Sequence, residues 1–223
     1  MKTSTQLAIY PILTVLLLFI RLFTILPSLT REPKRPKRTR STAKLAVFLG
    51  SGNEALNLLS AVDFDRYTPR VYVVSEGDTL SVQKARDLEF TRGQRQKNQF
   101  TILVVPRARR VHQSLYTTPF TAFLSLLKCL YHVTLLPVLT SNPFADVLIV
   151  NGPGTCFILC LAVVVNKLLA LEAPRVIYVE SFARVKSFSI SGKLLRYLAD
   201  RFVVQWPSLL KDGKRGECLG WLV

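Results

Sequence analysis

Apolar residues follow two patterns along this chain. From Leu7 to Leu26 they run almost without interruption, LAIYPILTVLLLFIRLFTIL. A helix of that length reaches about 30 Å, enough for a bilayer core. From Lys44 onward, short β-branched runs alternate with helical stretches. The runs LAVFLG (45–50), VYVVS (71–75), FTILVVP (100–106), ADVLIV (145–150), RVIYVES (175–181) and RFVVQW (201–206) read as strands, the last two as the fifth and final ones. Between them, EALNLLSAV (54–62), Ser81 to Phe90, Thr118 to Leu136, residues 155–171 and residues 191–200 read as helices. Near-continuously apolar strands alternating with helices predict a Rossmann-like parallel α/β sheet covered on both faces. The polar stretch TRGQRQKNQ (91–99) predicts a mobile loop.

Residues 1–30 are thus expected to form a single-pass anchor, bounded by Leu7 and Leu26. Pro27 helps end it, and Arg21, five residues from the end, is placed to snorkel to the headgroups. The segment has no polar face, which argues against an interfacial helix. No small-x-small site follows it, which argues against a cleaved signal peptide. Residues 31–43 read as an extended basic linker carrying Pro33 and Pro36, and residues 44–223 as the domain. Two further apolar stretches have the length of a span. Thr118 to Leu139 contains Lys128, His132 and Pro137, and residues 155–171 contain Asn166 and Lys167. Both are expected to cover the sheet, the first close enough to the bilayer to graze it.

Charge sharpens this picture. The net charge is +16, which calls for an anionic partner: nucleic acid, anionic lipid or a phosphorylated ligand. Lys and Arg are dense from Arg31 to Lys44, whereas only Lys2 precedes the apolar segment. The positive-inside rule then places the domain in the cytosol, and the same cluster can rest on anionic headgroups. The basic runs interleave poorly with aromatics and carry no recognition motif, so no nucleic-acid partner is expected. Cys129, Cys156, Cys160 and Cys218 form no pair of CxxC motifs, and only His112 and His132 are present. The cysteines are expected to be reduced core residues, and neither a metal site nor a bound cofactor is implied.

In open parallel sheets, ligands bind beyond the carboxyl ends of the strands. Gly50, Ser51 and Gly52 follow the first strand, where glycines let backbone N–H groups approach a phosphate. Asn151, Gly152, Gly154 and Thr155 follow the fourth and open a helix. Glu180 and Ser181 follow the fifth; the carboxylate can orient a hydroxyl, accept a proton or pair with Arg184. Arg107 and Arg109, in the run Pro106 to Arg110, are placed to clamp a diphosphate, with a solvated surface as the plainer role. The first loop lacks both GxGxxG spacing and an acidic ribose reader, and no Walker A, GxSxG or HExxH motif occurs.

The strings RYTPRVYVVSEGDTLSVQKARDLE, VPRARRVHQSLYT, ADVLIVNGPGTC, IYVESFARVKSFSISGKLLRYLADRFVVQWPSL and the terminal GWLV resemble the membrane-anchor subunit family of the eukaryotic UDP-N-acetylglucosamine transferase of asparagine-linked glycan assembly. The resemblance covers residues 44–223 and implies the N-terminal half of a two-domain GT-B glycosyltransferase. It implies an acceptor-side subunit, inactive alone, that recruits a soluble UDP-N-acetylglucosamine-binding catalytic subunit to the cytosolic face of the endoplasmic reticulum and the continuous nuclear envelope. Together they would add the second N-acetylglucosamine, β1,4-linked, to dolichyl-diphospho-N-acetylglucosamine. One departure stands out. The family's first loop reads GSGGHTxE; here Gly50-Ser51-Gly52-Asn53-Glu54 is three residues shorter and lacks a glycine, the histidine and the threonine. No catalytic residue is therefore assigned. A scaffold that recruits the partner without a competent acceptor site is the alternative.

Overall fold

A computed structural model describes residues 2–26, 41–50, 54–92, 99–110, 113–114, 116–152, 154–211, 213 and 215–222. The basic linker lies almost entirely outside these residues, as do Ser51, Gly52 and most of the 91–99 loop.

Seven parallel strands form one sheet in the order β3-β2-β1-β4-β5-β6-β7. They are β1 (Leu45–Leu49), β2 (Arg70–Ser75), β3 (Phe100–Val105), β4 (Val147–Val150), β5 (Arg175–Val179), β6 (Arg201–Val204) and β7 (Glu217–Cys218). All five residues of β1 are buried, and they alternate between two cores. Ala46 and Phe48 join one face with Leu148, Val150 and Leu159. Leu45, Val47 and Leu49 join the other with Leu59, Tyr72 and Ala85. A strand apolar at every position is therefore required, as in any sheet covered twice. β7 was not expected: two residues, Glu217 and Cys218, pair with Val203 and Val204 of β6, too short a run to produce a periodic signal.

The helices α2 (Glu54–Ser60) and α3 (Thr79–Arg92) cover one face. Asp78 caps α3 by accepting from Ser81 N at 3.1 Å. Glu89 of α3 is buried because Arg70 of β2 grips it through two hydrogen bonds, at 2.6 and 2.9 Å, and Tyr72 donates a third at 2.6 Å. This buried pair joins α3 to the sheet.

The other face carries α4 (Thr118–Leu130), α5 (Leu136–Thr140), α6 (Gly154–Leu168) and α7 (Ile190–Leu198). A π-turn, Tyr131–Leu135, joins α4 to α5. The helix expected to end at Leu136 thus continues through Pro137 to Thr140. Proline has no N–H to donate back to the carbonyl of Val133. The π-turn takes up part of the mismatch, with Leu136 N donating to Tyr131 O. The carbonyl of Val133 is satisfied instead by Asn166 Nδ2 of α6 at 2.9 Å.

The N-terminal segment is one helix, α1 (Lys2–Ile25). Its Arg21 was expected to reach toward headgroups. In the structure Nε donates to Leu168 O at 2.6 Å and Nη2 to Lys167 O at 3.3 Å. Arg21 thus satisfies carbonyls at the negative end of α6 and holds α1 against the domain.

Candidate functional site

The strand order reverses direction between β1 and β4. In an open parallel sheet this switch point, beyond the carboxyl ends of the strands, is where a ligand crevice lies. Two glycines shape its floor. Gly152 has φ +123°, and a Cβ on it would lie 3.4 Å from Gly50 Cα. That distance is an ordinary contact; it is the positive φ of Gly152 that calls for glycine there. A Cβ added at Gly154 would meet nothing within 4 Å, so open space lies at the first turn of α6. The positive end of a 15-residue helix is directed there, a setting that favours an anion.

A polar cluster bridges three strand ends at this point. Glu54, the first residue of α2, accepts from Ser181 Oγ through Oε1 at 2.8 Å. Its Oε2 accepts from Asn151 Nδ2 at 2.9 Å and from Phe182 N at 3.3 Å. Asn151, buried, also donates to Val179 O at 3.2 Å. The structure thus brings together Asn151 and Ser181, named from sequence, around Glu54, which sequence reasoning passed over. The available signal was an acidic side chain in the first turn of the helix after the first strand.

Glu180 is placed differently. It is 1% exposed, and its carboxylate points away from the crevice. Oε1 accepts from Tyr178 OH and from Ser181 N, each at 3.1 Å. Oε2 accepts from Ser189 N at 3.1 Å and from Ser189 Oγ at 3.2 Å. Ser189 is the N-cap of α7 and accepts from Gly192 N at 2.8 Å. A Cβ at Gly192 would sit 2.1 Å from Glu180 Oε2. Glu180 therefore anchors the start of α7, filling the place an anion would otherwise take.

Arg107 and Arg109 lie on the loop after β3. Thr155 is buried, and its hydroxyl accepts from Ala108 N at 3.1 Å. This bond ties the loop after β3 to the first turn of α6. Within that loop Arg107 Nε donates to Glu76 O at 2.8 Å, and Arg109 bonds Gln113 O through Nε and Nη2. Neither arginine bonds the Glu54 cluster; their guanidinium groups are held on the carbonyls of Glu76 and Gln113. On the other side, Phe182, Trp206 and Trp221 pack with ring centroids 5.1–5.9 Å apart. Trp206 Nε1 donates to Phe182 O at 2.7 Å, and Leu222 N reaches Gln205 Oε1 at 3.2 Å. An aromatic surface thus adjoins the polar cluster.

Thiol chemistry has no place here. Burial, then the Glu180 carboxylate, pushes the Cys156 thiol up to about 12. Burial raises Cys160 as well, so both stay protonated and unreactive at neutral pH. Among the described residues no group of three or more His, Cys, Asp or Glu side chains gathers to hold a metal ion. The arrangement can bind an anion at α6 and present a carboxylate, an amide and a hydroxyl to a polar ligand above them.

Residues 45–222 match the model of a family described as oligosaccharide biosynthesis protein Alg14 like. A Cryptococcus neoformans protein named UDP-N-acetylglucosamine transferase subunit ALG14 is 47% identical over 204 residues, 86% of each chain. The Schizosaccharomyces pombe protein of that name is 46% identical, over 84% of this chain and 87% of that one. The mouse protein is 34% identical over 94% of each. Among solved structures, Acinetobacter baumannii MurG has a TM-score of 0.49 and 11% identity, over 74% of this chain and 42% of that one. On the family match and these relatives, the chain belongs to the Alg14-like family of oligosaccharide biosynthesis proteins.

Proposed function

We propose that this chain is the membrane-anchored, acceptor-side subunit of a UDP-N-acetylglucosamine transferase. In this reading α1 holds it in the endoplasmic reticulum membrane, continuous with the nuclear envelope, with the domain on the cytosolic face. It recruits a soluble catalytic subunit that binds UDP-N-acetylglucosamine. The pair adds the second N-acetylglucosamine to dolichyl-diphospho-N-acetylglucosamine. Its relatives carry the name of such a transferase subunit.

The polar cluster of Glu54, Asn151 and Ser181 at the switch point is the observation that carries the reading. The first turn of α6, beside Gly50 and Gly152, would take the diphosphate, with Arg107 and Arg109 as the candidate clamps. Glu54, Asn151 and Ser181 would then meet the sugar beyond the diphosphate. A single doubly covered sheet supplies one wall, so a second domain is needed to enclose the donor. A lipid-linked acceptor stays in the bilayer, and anchoring the subunit there raises its effective concentration. Transfer from UDP-N-acetylglucosamine to a lipid-diphosphate acceptor is expected when the purified chain and its partner are combined, and from neither alone. Robust transfer by this chain alone would contradict the split enzyme.

The short first loop, Gly50 to Glu54, favours a second reading, a scaffold that recruits the partner without shaping the acceptor site. Substituting Glu54, Asn151 or Ser181 would then leave transfer by the complex unchanged.

A further inference from the structure

Among the described residues, one helical run is both long and apolar enough to cross a bilayer: Thr118–Thr140, with mean hydropathy 1.7 over its most apolar window, of which 17% is buried. It has two faces. Ser125, Cys129 and Val133 are buried against the domain, and Ser125 Oγ donates to Pro106 O at 2.8 Å. Asn166 of α6 bonds the carbonyl of Val133 and the hydroxyl of Thr134. On the outer face Phe120, Phe123, Leu127, Leu135, Val138 and Leu139 are exposed, Leu139 to 71%. No Asp or Glu occurs from Thr118 to Thr140. Lys128 is its one cation at neutral pH besides the titratable His132, and the ammonium lies 5.4 Å from the Tyr131 ring centre. A contiguous apolar surface of this extent marks a contact that is absent here.

The run does not span. β3 precedes it, β4 follows it, and both belong to one sheet. A single crossing between them would put two strands of that sheet on opposite sides of a membrane. The run therefore lies along whatever covers it.

The occupant is indicated by α1. Both α1 and α4 pack on α6, and Arg21 fixes α1 to the last carbonyls of that helix. The exposed apolar residues of α1, Leu16, Phe19 and Phe23 among them, thus belong to the same helical layer as the outer face of α4 and α5. On the opposite side of the sheet α3 is polar by comparison, with Lys84, Arg86, Asp87 and Arg92 on it.

We propose that the outer face of α4 and α5 lies in the membrane interface as an in-plane helix, a lipid contact separate from the α1 anchor. Apolar side chains enter the acyl boundary, and Lys128 and Tyr131 suit the headgroup level. The contact would lay the α4–α6 face of the sheet on the bilayer. The choice of lipid as the occupant rests on reading α1 as an anchor; the exposed apolar face itself does not.

The test uses the full chain reconstituted in phosphatidylcholine vesicles containing phosphatidylserine. In a Cys218→Ser background, nitroxide labels are placed singly at Leu127→Cys, Val138→Cys, Phe19→Cys and Phe90→Cys. All four replace exposed side chains, and an unchanged circular dichroism melt confirms folding. Labels at 127 and 138 are expected to be more accessible to oxygen than to an aqueous nickel chelate. Both should lie at one shallow depth, about 5–10 Å below the headgroups, while the label at 90 stays open to nickel. Three results would overturn the proposal. Nickel access at 127 and 138 would mean that no lipid covers them. Depths differing by about 16 Å, the rise over eleven helical residues, would mean a span. Shielding from both reagents would mean a second protein. The label at 19 reports separately on the anchor: if it is aqueous while 127 and 138 are in lipid, the anchor reading fails and this one stands.

Discussion

Glu180 and Glu54 both stand at the carboxyl edge of the sheet and are both tied to Ser181, yet they occupy opposite kinds of place. Glu180 is enclosed, accepts from Tyr178, Ser181 and Ser189, and has Gly192 pressed against it. Glu54 is only partly buried and bridges the segments that follow three strands. A carboxylate at a strand end is therefore not by itself a site. What it faces decides, and helix starts compete with ligands for the same negative charge.

The largest effect should come from Glu180→Ala. It strands the N–H of Ser189 and Ser181 and leaves the Tyr178 hydroxyl with Ser189 Oγ alone, and a loss of about 3 kcal/mol of stability is expected in chemical denaturation. A loss below the error of that measurement would break the contrast. Gly192→Ala should cost somewhat less, about 2 kcal/mol, because its Cβ must displace Glu180 or the start of α7. A matching fall in melting temperature, with little change in transfer per folded molecule, would place both residues in the scaffold.

Glu54→Gln should act the other way. The amide can present its oxygen to Asn151 and Phe182 and its nitrogen to the Ser181 hydroxyl, so stability should barely move. Transfer by the reconstituted complex should fall about tenfold, or roughly 1.4 kcal/mol, if the charge takes part; equal rates would reduce Glu54 to a brace. The smallest effect is the pH dependence of the thiol behind Glu180. Burial raises the Cys156 thiol from its ordinary 9.0 to about 12 in the fold. The folded state therefore holds its proton more tightly. That stability is fully present below pH 9.0 and is lost as pH rises toward 12. Cys156→Ala should make the decline measured by urea titration shallower.

Much of the fold was legible because a doubly covered parallel sheet demands uninterrupted apolar runs, and Leu45–Leu49 and Arg175–Val179 declare themselves by composition alone. What escaped depends on partners distant in sequence. Helix α5 survives Pro137 because Asn166 supplies the donor that proline lacks. Arg21 bonds carbonyls 146 and 147 residues away. β7 is a two-residue addition to an edge. The same holds at the crevice. Asn151 and Ser181 could be placed at strand ends from the order of elements, but nothing local distinguishes Glu180 from Glu54. Only the packing of Gly192 and the cap at Ser189 turn the first inward.

In the proposed function the acceptor binds where the segments after β1, β4 and β5 meet. A short-chain lipid-diphospho-N-acetylglucosamine carrying a photoreactive group on its sugar, crosslinked to the assembled complex and mapped by mass spectrometry, tests it most directly. The account predicts adducts within residues 150–156 and at Ser181 or Phe182, reduced by excess unmodified acceptor. Adducts confined to the partner subunit, with none on this chain, would contradict it.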